Sequence, residues 1–209
     1  MVTTAVLLDG DFTRRLIKRK LGHSPNVVEI ETFCKGVLTP DETLLKIYYY
    51  DCPPFGAKKQ LPVSKAVQDF STSPVYAKAA QFQQELRKNQ TFVARRGHLS
   101  FDGWTLKGDI VEELLKTPRP LVDGDFKPIL KQKQVDMKIG FDVAKLSMKG
   151  IVKRILLATS DADFIPAIHF ARNYKIEVIL LTDVPSIRKT KGTLLKTFTP
   201  IGSSKPNSP

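Results

Sequence analysis

Only two of the 209 residues are cysteine, Cys34 and Cys52, and they stand in unrelated contexts. No paired-cysteine motif and no Cys/His spacing of a zinc site occurs, and two isolated thiols suit a reducing compartment rather than a disulfide scaffold. Histidine is almost as scarce: His23, His98 and His169 share no spacing, which favours surface or packing roles over histidine catalysis. The single tryptophan, Trp104, follows Gly103 and reads as a local anchor rather than a base-stacking platform. No apolar run approaches the ~20 residues needed to cross a bilayer. The opening Met1-Val2-Thr3-Thr4-Ala5-Val6-Leu7-Leu8-Asp9 lacks a basic start and meets a carboxylate after a short apolar stretch. No secretory signal is therefore expected, and the cytoplasm is the expected location.

Hydrophobic residues make up 42% and charged residues 26%, ordinary values for a chain that packs a core, so one generous domain or one domain with insertions and a tail is expected. Charge is where the sequence departs from average. Lysine plus arginine number 33 against 21 acidic residues, a formal charge of +12 with a pI near 9.7. That excess points to a polyanionic partner, nucleic acid before anionic membrane, with a merely soluble basic protein as the bland reading.

Residues 4–8 form an apolar run stopped by Asp9-Gly10, the pattern of a buried strand. Residues 14–21 read as helix. Val27, Val28, Ile30, Phe33, Val37 and Leu38 recur at helical spacing until Pro40-Asp41 closes the segment. Leu44-Leu45-Lys46-Ile47-Tyr48-Tyr49-Tyr50 is a second strand running into Asp51, and residues 52–62, with three prolines and two lysines, read as loop. Ser73-Pro74 starts a helix that continues to about Lys88, with proline in the first turn, and residues 91–95 are a further strand. From about 97 to 131 periodicity fails. Gly103-Trp104, Gly108-Asp109, Pro118, Pro120 and Asp123-Gly124 punctuate an irregular insertion with one short helix at 111–116. Helix 135–148, strand 151–158, helix 163–173 and strand 176–181 follow, then a basic stretch and, at 201–209, a Gly/Ser/Pro tail expected to be disordered.

Apolar strands alternating with helices predict an α/β domain over residues 1–200, a parallel sheet covered on both faces and interrupted by the insertion at about 97–131. Ligands of such sheets lie beyond the carboxyl ends of strands. Asp9, Asp51 and Asp161 each fall just after a strand.

Mg²⁺ and similar hard cations take oxygen ligands, commonly carboxylates with water and substrate phosphate. Carboxylates from separate strand ends can share one ion, which activates water and steadies a leaving oxygen. Three segments supply candidates: Leu7-Leu8-Asp9-Gly10-Asp11, Ala158-Thr159-Ser160-Asp161-Ala162-Asp163-Phe164, and Lys131-Gln132-Lys133-Gln134-Val135-Asp136-Met137-Lys138. In the helix after the last segment, Val135, Ile139, Val143 and Leu146 form an apolar stripe at about 100° per residue. Asp142 falls within that stripe and Asp136 on its edge, so Asp142 turns toward a polar cavity or has a buried partner. Plainer readings stand beside these: Asp163 as a helix cap, Asp9-Gly10 as a turn, Asp142 paired with a basic neighbour, and Asp123-Gly124-Asp125-Phe126 as a turn.

Taken together these segments resemble the NYN-domain family of PIN-like nucleases. The resemblance rests on Val6-Leu7-Leu8-Asp9-Gly10, Tyr48-Tyr49-Tyr50-Asp51 and Arg95-Arg96-Gly97. It rests more specifically on residues 133–142, similar to the family's Lys-Gly-Val-Asp helix with its downstream aspartate, and on Thr159-Ser160-Asp161-Ala162-Asp163-Phe164-Ile165-Pro166-Ala167. It implies a PIN-like sheet, Mg²⁺ or Mn²⁺ held by Asp9, Asp136, Asp161 and Asp163, with Asp142 in or just behind the site. It further implies an endoribonuclease hydrolysing RNA phosphodiesters, on single-stranded or structured RNA. Arg95, Arg96, Lys131, Lys133 and Lys138 would hold flanking phosphates, or equally form a solvated face. No membrane partner is expected, and homo-oligomerisation stays open. Two positions depart from the family pattern: Phe12, where many members have asparagine, and Gln134, where the motif has glycine.

Two rivals remain. A non-catalytic, RNA-binding or regulatory domain would keep the fold without turnover. Asp9-Gly10-Asp11-Phe12-Thr13 also resembles the Asp-x-Asp-x-Thr pattern of haloacid dehalogenase-like phosphatases, a reading that leaves the Asp136/Asp142 helix unexplained. With a +12 charge and no base-reading motif, nucleic-acid affinity is expected to be largely electrostatic. A binding titration across salt concentrations should lose about one log–log slope unit per phosphate neutralised; a flat profile would show that the positive charge faces elsewhere.

Overall fold

Strand β1 (Val2–Asp9) shows why the sheet must be covered twice. Val6 and Leu8 point to one face, Ala5 and Leu7 to the other, and all four are wholly buried. A strand apolar on both sides belongs in the middle of a parallel sheet. In the computed structural model, which describes residues 1–182 and 194–197, β1 lies between its two parallel neighbours, β2 (Glu42–Asp51) and β8 (Arg154–Ala158).

The remaining elements follow in chain order. Helices α1 (Gly10–Leu21) and α2 (Val27–Gly36) lead to β2, and a short hairpin of β3 (Lys58–Gln60) and β4 (Val67–Asp69) leads to α3 (Pro74–Lys88) and β5 (Phe92–Arg96). Next come β6 (His98–Leu106), α4 (Gly108–Lys116), β7 (Phe126–Lys133) and α5 (Val135–Lys149). After β8 come α6 (Ile165–Asn173), β9 (Glu177–Thr182) and β10 (Leu194–Thr197). The main sheet has six strands in the order β10-β9-β8-β1-β2-β5, every pairing parallel. No helix of the described residues is long and apolar enough to cross a membrane. The tail expected from Ile201 lies outside the described residues.

Alternation along the strands sorts the core into two layers. Phe12, Leu16 and Ile17 of α1, Ile30 and Phe33 of α2 and Leu86 of α3 pack on Val6, Leu8, Ile47 and Tyr49. On the other face Ile139, Val143 and Leu146 of α5 and Ile168 and Ala171 of α6 pack on Ala5, Leu7, Tyr50, Ile155 and Leu157. The helix starts are written locally. Asn26 and Glu29 form a reciprocal capping box for α2, and Ser73 Oγ accepts the Tyr76 N–H at 3.1 Å ahead of Pro74 in the first turn of α3.

The aperiodic segment at 97–131 is regular in space. Strands β6 and β7 pair antiparallel from His98–Lys133 to Leu106–Phe126, with α4 at the far end. Its order comes from ladder hydrogen bonds and one aromatic cluster, neither of which imposes a long apolar period on the sequence. Phe55 stacks on Phe101 with centroids 5.9 Å apart, Phe70 and Trp104 extend the cluster, and Trp104 Nε1 donates to the Gln60 carbonyl at 2.9 Å. Trp104 thus ties the ribbon to the β3–β4 hairpin, within which part of the expected 52–62 loop pairs as strand. At 123–126 the carboxylates lock a turn: Asp125 takes two 2.8 Å bonds from Arg119, and Asp123 accepts the Val63 N–H at 2.8 Å.

At the amino-terminal edge of the sheet a buried ion pair crosses strands. Glu42, the first residue of β2, accepts from Thr4 Oγ1 of β1 (2.9 Å), Arg154 Nη1 of β8 (2.9 Å), and the hydroxyl and N–H of Thr39 (2.7 and 2.6 Å). Arg154 also reaches Glu177, the first residue of β9. Burial pushes the Glu42 carboxyl up, but these donors outweigh it and hold the group at about 2. Since the folded value lies below the unfolded one, its contribution is present above ~4.5 and is lost as pH falls toward about 2. Glu42→Gln should therefore lower the melting temperature at neutral pH, by a loss on the order of a few kcal/mol. It should also flatten the decline between about pH 4.5 and 2. A variant with the wild type's acid profile would remove this clamp from the account.

Candidate active site

Asp9 ends β1 and caps α1, its Oδ1 accepting the N–H groups of Asp11 (3.1 Å) and Phe12 (3.3 Å). The helix begins at once because Gly10 lets it: a Cβ there would lie 2.7 Å from the Tyr50 carbonyl oxygen of β2 and 3.0 Å from the Tyr49 ring. Phe12 fills the core beneath the cap, so the departure from asparagine puts an apolar group there and leaves only its N–H for Asp9. Asp11, on the first turn, pairs with Arg15 at 3.2 Å along the helix surface. Thr13 is wholly buried, and among the described residues its hydroxyl is the one buried side-chain atom lacking a hydrogen bond.

Asp136 stands in the first turn of α5, and the turn before it explains the second departure. Gln134 adopts φ 69°, left-handed backbone that glycine takes without a steric penalty. The chain reverses from β7 into α5 at this residue, so the family's glycine corresponds to a real backbone requirement that Gln134 meets under strain. Asp161 follows β8, and its Oδ1 accepts the Asp163 N–H at 2.9 Å. The capping role offered to Asp163 therefore belongs to Asp161. Asp163 itself is exposed, and its carboxylate makes no hydrogen bond or ion pair among the described residues.

The parallel register aligns these ends: Asp9 is level with Tyr50, and Leu8 with Ala158. Their charges are felt across the edge. Burial raises the Asp9 carboxyl above its usual range; the two N–H bonds pull it down, and Asp11 and Asp136 push it up again. Burial likewise raises Asp136, followed by repulsion from Asp161 and Asp163. Asp136 thus links Asp9 on one side to Asp161 and Asp163 on the other. Among the described residues no three His, Cys, Asp or Glu side chains are already gathered tightly enough to grip an ion. The donor chemistry nevertheless suits a hard divalent cation: oxygen only, anionic, with two members held above their usual pKa by burial and like charge.

Four expected contributors, Asp142, Arg95, Lys131 and Lys138, are occupied elsewhere. Asp142 is buried and clasped by Arg95, Nε to Oδ2 at 2.7 Å and Nη2 to Oδ1 at 3.1 Å, while Tyr50 Oη donates to Oδ2 at 2.9 Å. The basic-neighbour reading of Asp142 describes this geometry. Arg95, read as a phosphate holder, commits Nε and Nη2 to that carboxylate and ties α5 to β5. Lys131 pairs with Asp102 at 2.7 Å, and Lys138 Nζ donates to the Arg96 carbonyl. Arg96 and Lys133 are exposed where the ribbon meets the sheet. Asp51, at the end of β2, is bound by Arg14 Nη1 and by the Cys52 N–H at 2.8 Å. Arg14 also donates to Tyr49 Oη at 3.0 Å. Nothing in the sequence pairs Arg14 with Asp51, 37 residues apart.

The model of the NYN domain family matches residues 3–196. The chain belongs to the NYN domain family. As an NYN domain it is a PIN-like, nuclease-type domain, and such domains generally act on RNA and typically use divalent metals. No curated protein matches this NYN chain. A crystal structure of a protein of unknown function from Vibrio parahaemolyticus is similar to it with a TM-score of 0.47 and 13% identity, over 86% of this chain and 80% of that one.

Charge repulsion at this NYN edge has a measurable cost. Asn caps a helix as well as Asp, so Asp9→Asn keeps the cap and removes the buried charge. In EDTA the variant should gain roughly 1 kcal/mol, about 2–4 °C in melting temperature for a chain of this size. The sign follows from linkage. Carboxyls raised in the folded state leave it less stable as pH rises through the window above 3.8, so wild type in EDTA should lose stability there and the variant less. A variant melting below wild type in EDTA would contradict the repulsion.

Proposed function

We propose that this chain is a cytoplasmic, Mg²⁺- or Mn²⁺-dependent endoribonuclease that hydrolyses RNA phosphodiester bonds at the carboxyl edge of its sheet. The observation that carries the reading is the line of carboxylates coupled through Asp136: Asp9, Asp136, Asp161 and Asp163, from three separate chain segments, none neutralised by an arginine or lysine among the described residues. Family membership supports the same class of chemistry.

These four residues would hold the ion. When bound, it supplies a Lewis acid that polarises the phosphodiester and eases deprotonation of an attacking water. The chain's own groups do the rest. Asp161 has one oxygen committed to its cap, so the exposed Asp163 is the freer carboxylate to orient that water and accept its proton. Arg96 and Lys133 hold flanking phosphates without reading sequence. Arg14 keeps Asp51 out of the ligand set, and Arg95 does the same for Asp142.

Purified protein should cut labelled RNA with Mn²⁺ or Mg²⁺ and stop in EDTA. Asp136→Asn should lower the rate at least about a hundredfold, the scale of losing a catalytic electrostatic group, while Asp11→Asn has little effect. Cutting that persists in EDTA, or that survives Asp136→Asn, would overturn the assignment. RNA binding without cutting under any metal would favour the non-catalytic reading, which Phe12 and the ungathered carboxylates keep in view. Hydrolysis of aryl phosphates that requires Asp11 would favour the phosphatase reading.

A further inference from the structure

Beside the carboxylate edge a groove of about 990 Å³ runs between α3 and the β6–β7 ribbon. Arg14 and Asp51 close its inner end, Leu99 and Leu130 of the ribbon form one wall, and Tyr76 and Gln83 of α3 form the other. That size is at the upper end for ligand pockets. Its few charges offset one another, Arg14 being paired with Asp51. A phosphate therefore gains nothing by entering, whereas an apolar, flat group with a polar edge does.

Two residues in the wall have that complementarity. Gln83 is 6% exposed, yet its side-chain amide makes no hydrogen bond among the described residues. Only Thr13 Oγ1 is both sealed and unpartnered there, so the Gln83 amide is not sealed and opens onto the groove. A primary amide offers a donor and an acceptor side by side, the pattern that pairs with the edge of a nucleobase. Tyr76 is half-buried and makes no ring contact with another aromatic among the described residues. Gly56 makes room for its ring, because a Cβ there would lie 2.6 Å from it. An aromatic ring lining a groove is a stacking platform for an unpaired base.

We propose that the groove is a base-binding subsite, taking an unpaired nucleobase of the RNA strand beside the scissile phosphate, with Tyr76 stacking on it and Gln83 bonding its edge. The proposal rests on the RNA reading above. It selects single-stranded segments, since a base within a duplex exposes neither its face nor its pairing edge. The strand's phosphates stay outside. Gln83 was findable in the sequence as the one amide in the inner stripe Tyr76, Ala79, Gln83 and Leu86 of α3.

The test is binding in EDTA, where no cutting intervenes. Fluorescence anisotropy compares a short labelled single-stranded RNA with a strand of equal length and charge whose sugars carry no bases. Wild type should bind the base-free strand more weakly by about tenfold or more. Gln83→Leu and Tyr76→Ala should weaken binding of the normal strand and leave the base-free strand unchanged. Equal affinity of wild type for both strands would overturn the subsite while leaving the RNA reading intact. Binding of neither strand would overturn both. The wild-type comparison decides the matter even where a variant fails to fold.

Discussion

The parallel pairing of β1 with β2 on one side and β8 on the other is the constraint on which the rest depends. It buries both faces of β1, which requires helices above and below. It also brings the carboxyl ends of three strands to one edge. Once Leu8 is level with Ala158 and Asp9 with Tyr50, the chain leaving each strand must turn over the same surface. Gly10 makes the first of these turns tight enough for Asp9 to cap α1. Gly97 does comparable work at the root of the ribbon, where a Cβ would meet the Lys133 carbonyl oxygen at 2.4 Å.

The two edges of the sheet have opposite electrostatic character. At the amino end Glu42, Arg154 and Glu177 alternate in sign across β2, β8 and β9, and the buried members are fully hydrogen-bonded, the condition under which a buried ion pair holds. At the carboxyl end Asp9, Asp136, Asp161 and Asp163 share one sign, and two of them are raised by burial and by one another. Like charges assembled without counter-charge reduce stability unless something else neutralises them, which is the physical case for a cation at this edge.

An arginine separates the aspartates held by counter-charge from those proposed for chemistry. Asp51 has Arg14, Asp142 has Arg95 and Asp125 has Arg119. The four proposed ligands have no such partner among the described residues. Distance along the chain hides this division: Arg95 and Asp142 are 47 residues apart, and only their meeting between β5 and α5 shows that Asp142 carries its own counter-charge.

Much of the architecture was legible from local rules. Apolar runs ended by Asp9, Asp51 and Asp161 marked the strands, Ser73-Pro74 marked a helix start, and the 133–142 and 159–167 motifs carried the family. The β6–β7 ribbon was not legible, because its order comes from cross-strand hydrogen bonds and from four aromatics, two on the ribbon and two flanking the β3–β4 hairpin. Gln134 shows the boundary well: the sequence marked it as a departure, and only its left-handed φ shows what the departure strains. The sequence by itself determined the alternation of the main strands and helices outside the two hairpins, the double-faced sheet and which carboxylates lie at strand or helix ends, since those follow from periodicity and capping within a few residues. Tertiary structure alone decided which carboxylates are neutralised, which cations are already spent, and where Gln83 opens onto a groove, since each depends on groups tens of residues apart meeting in space.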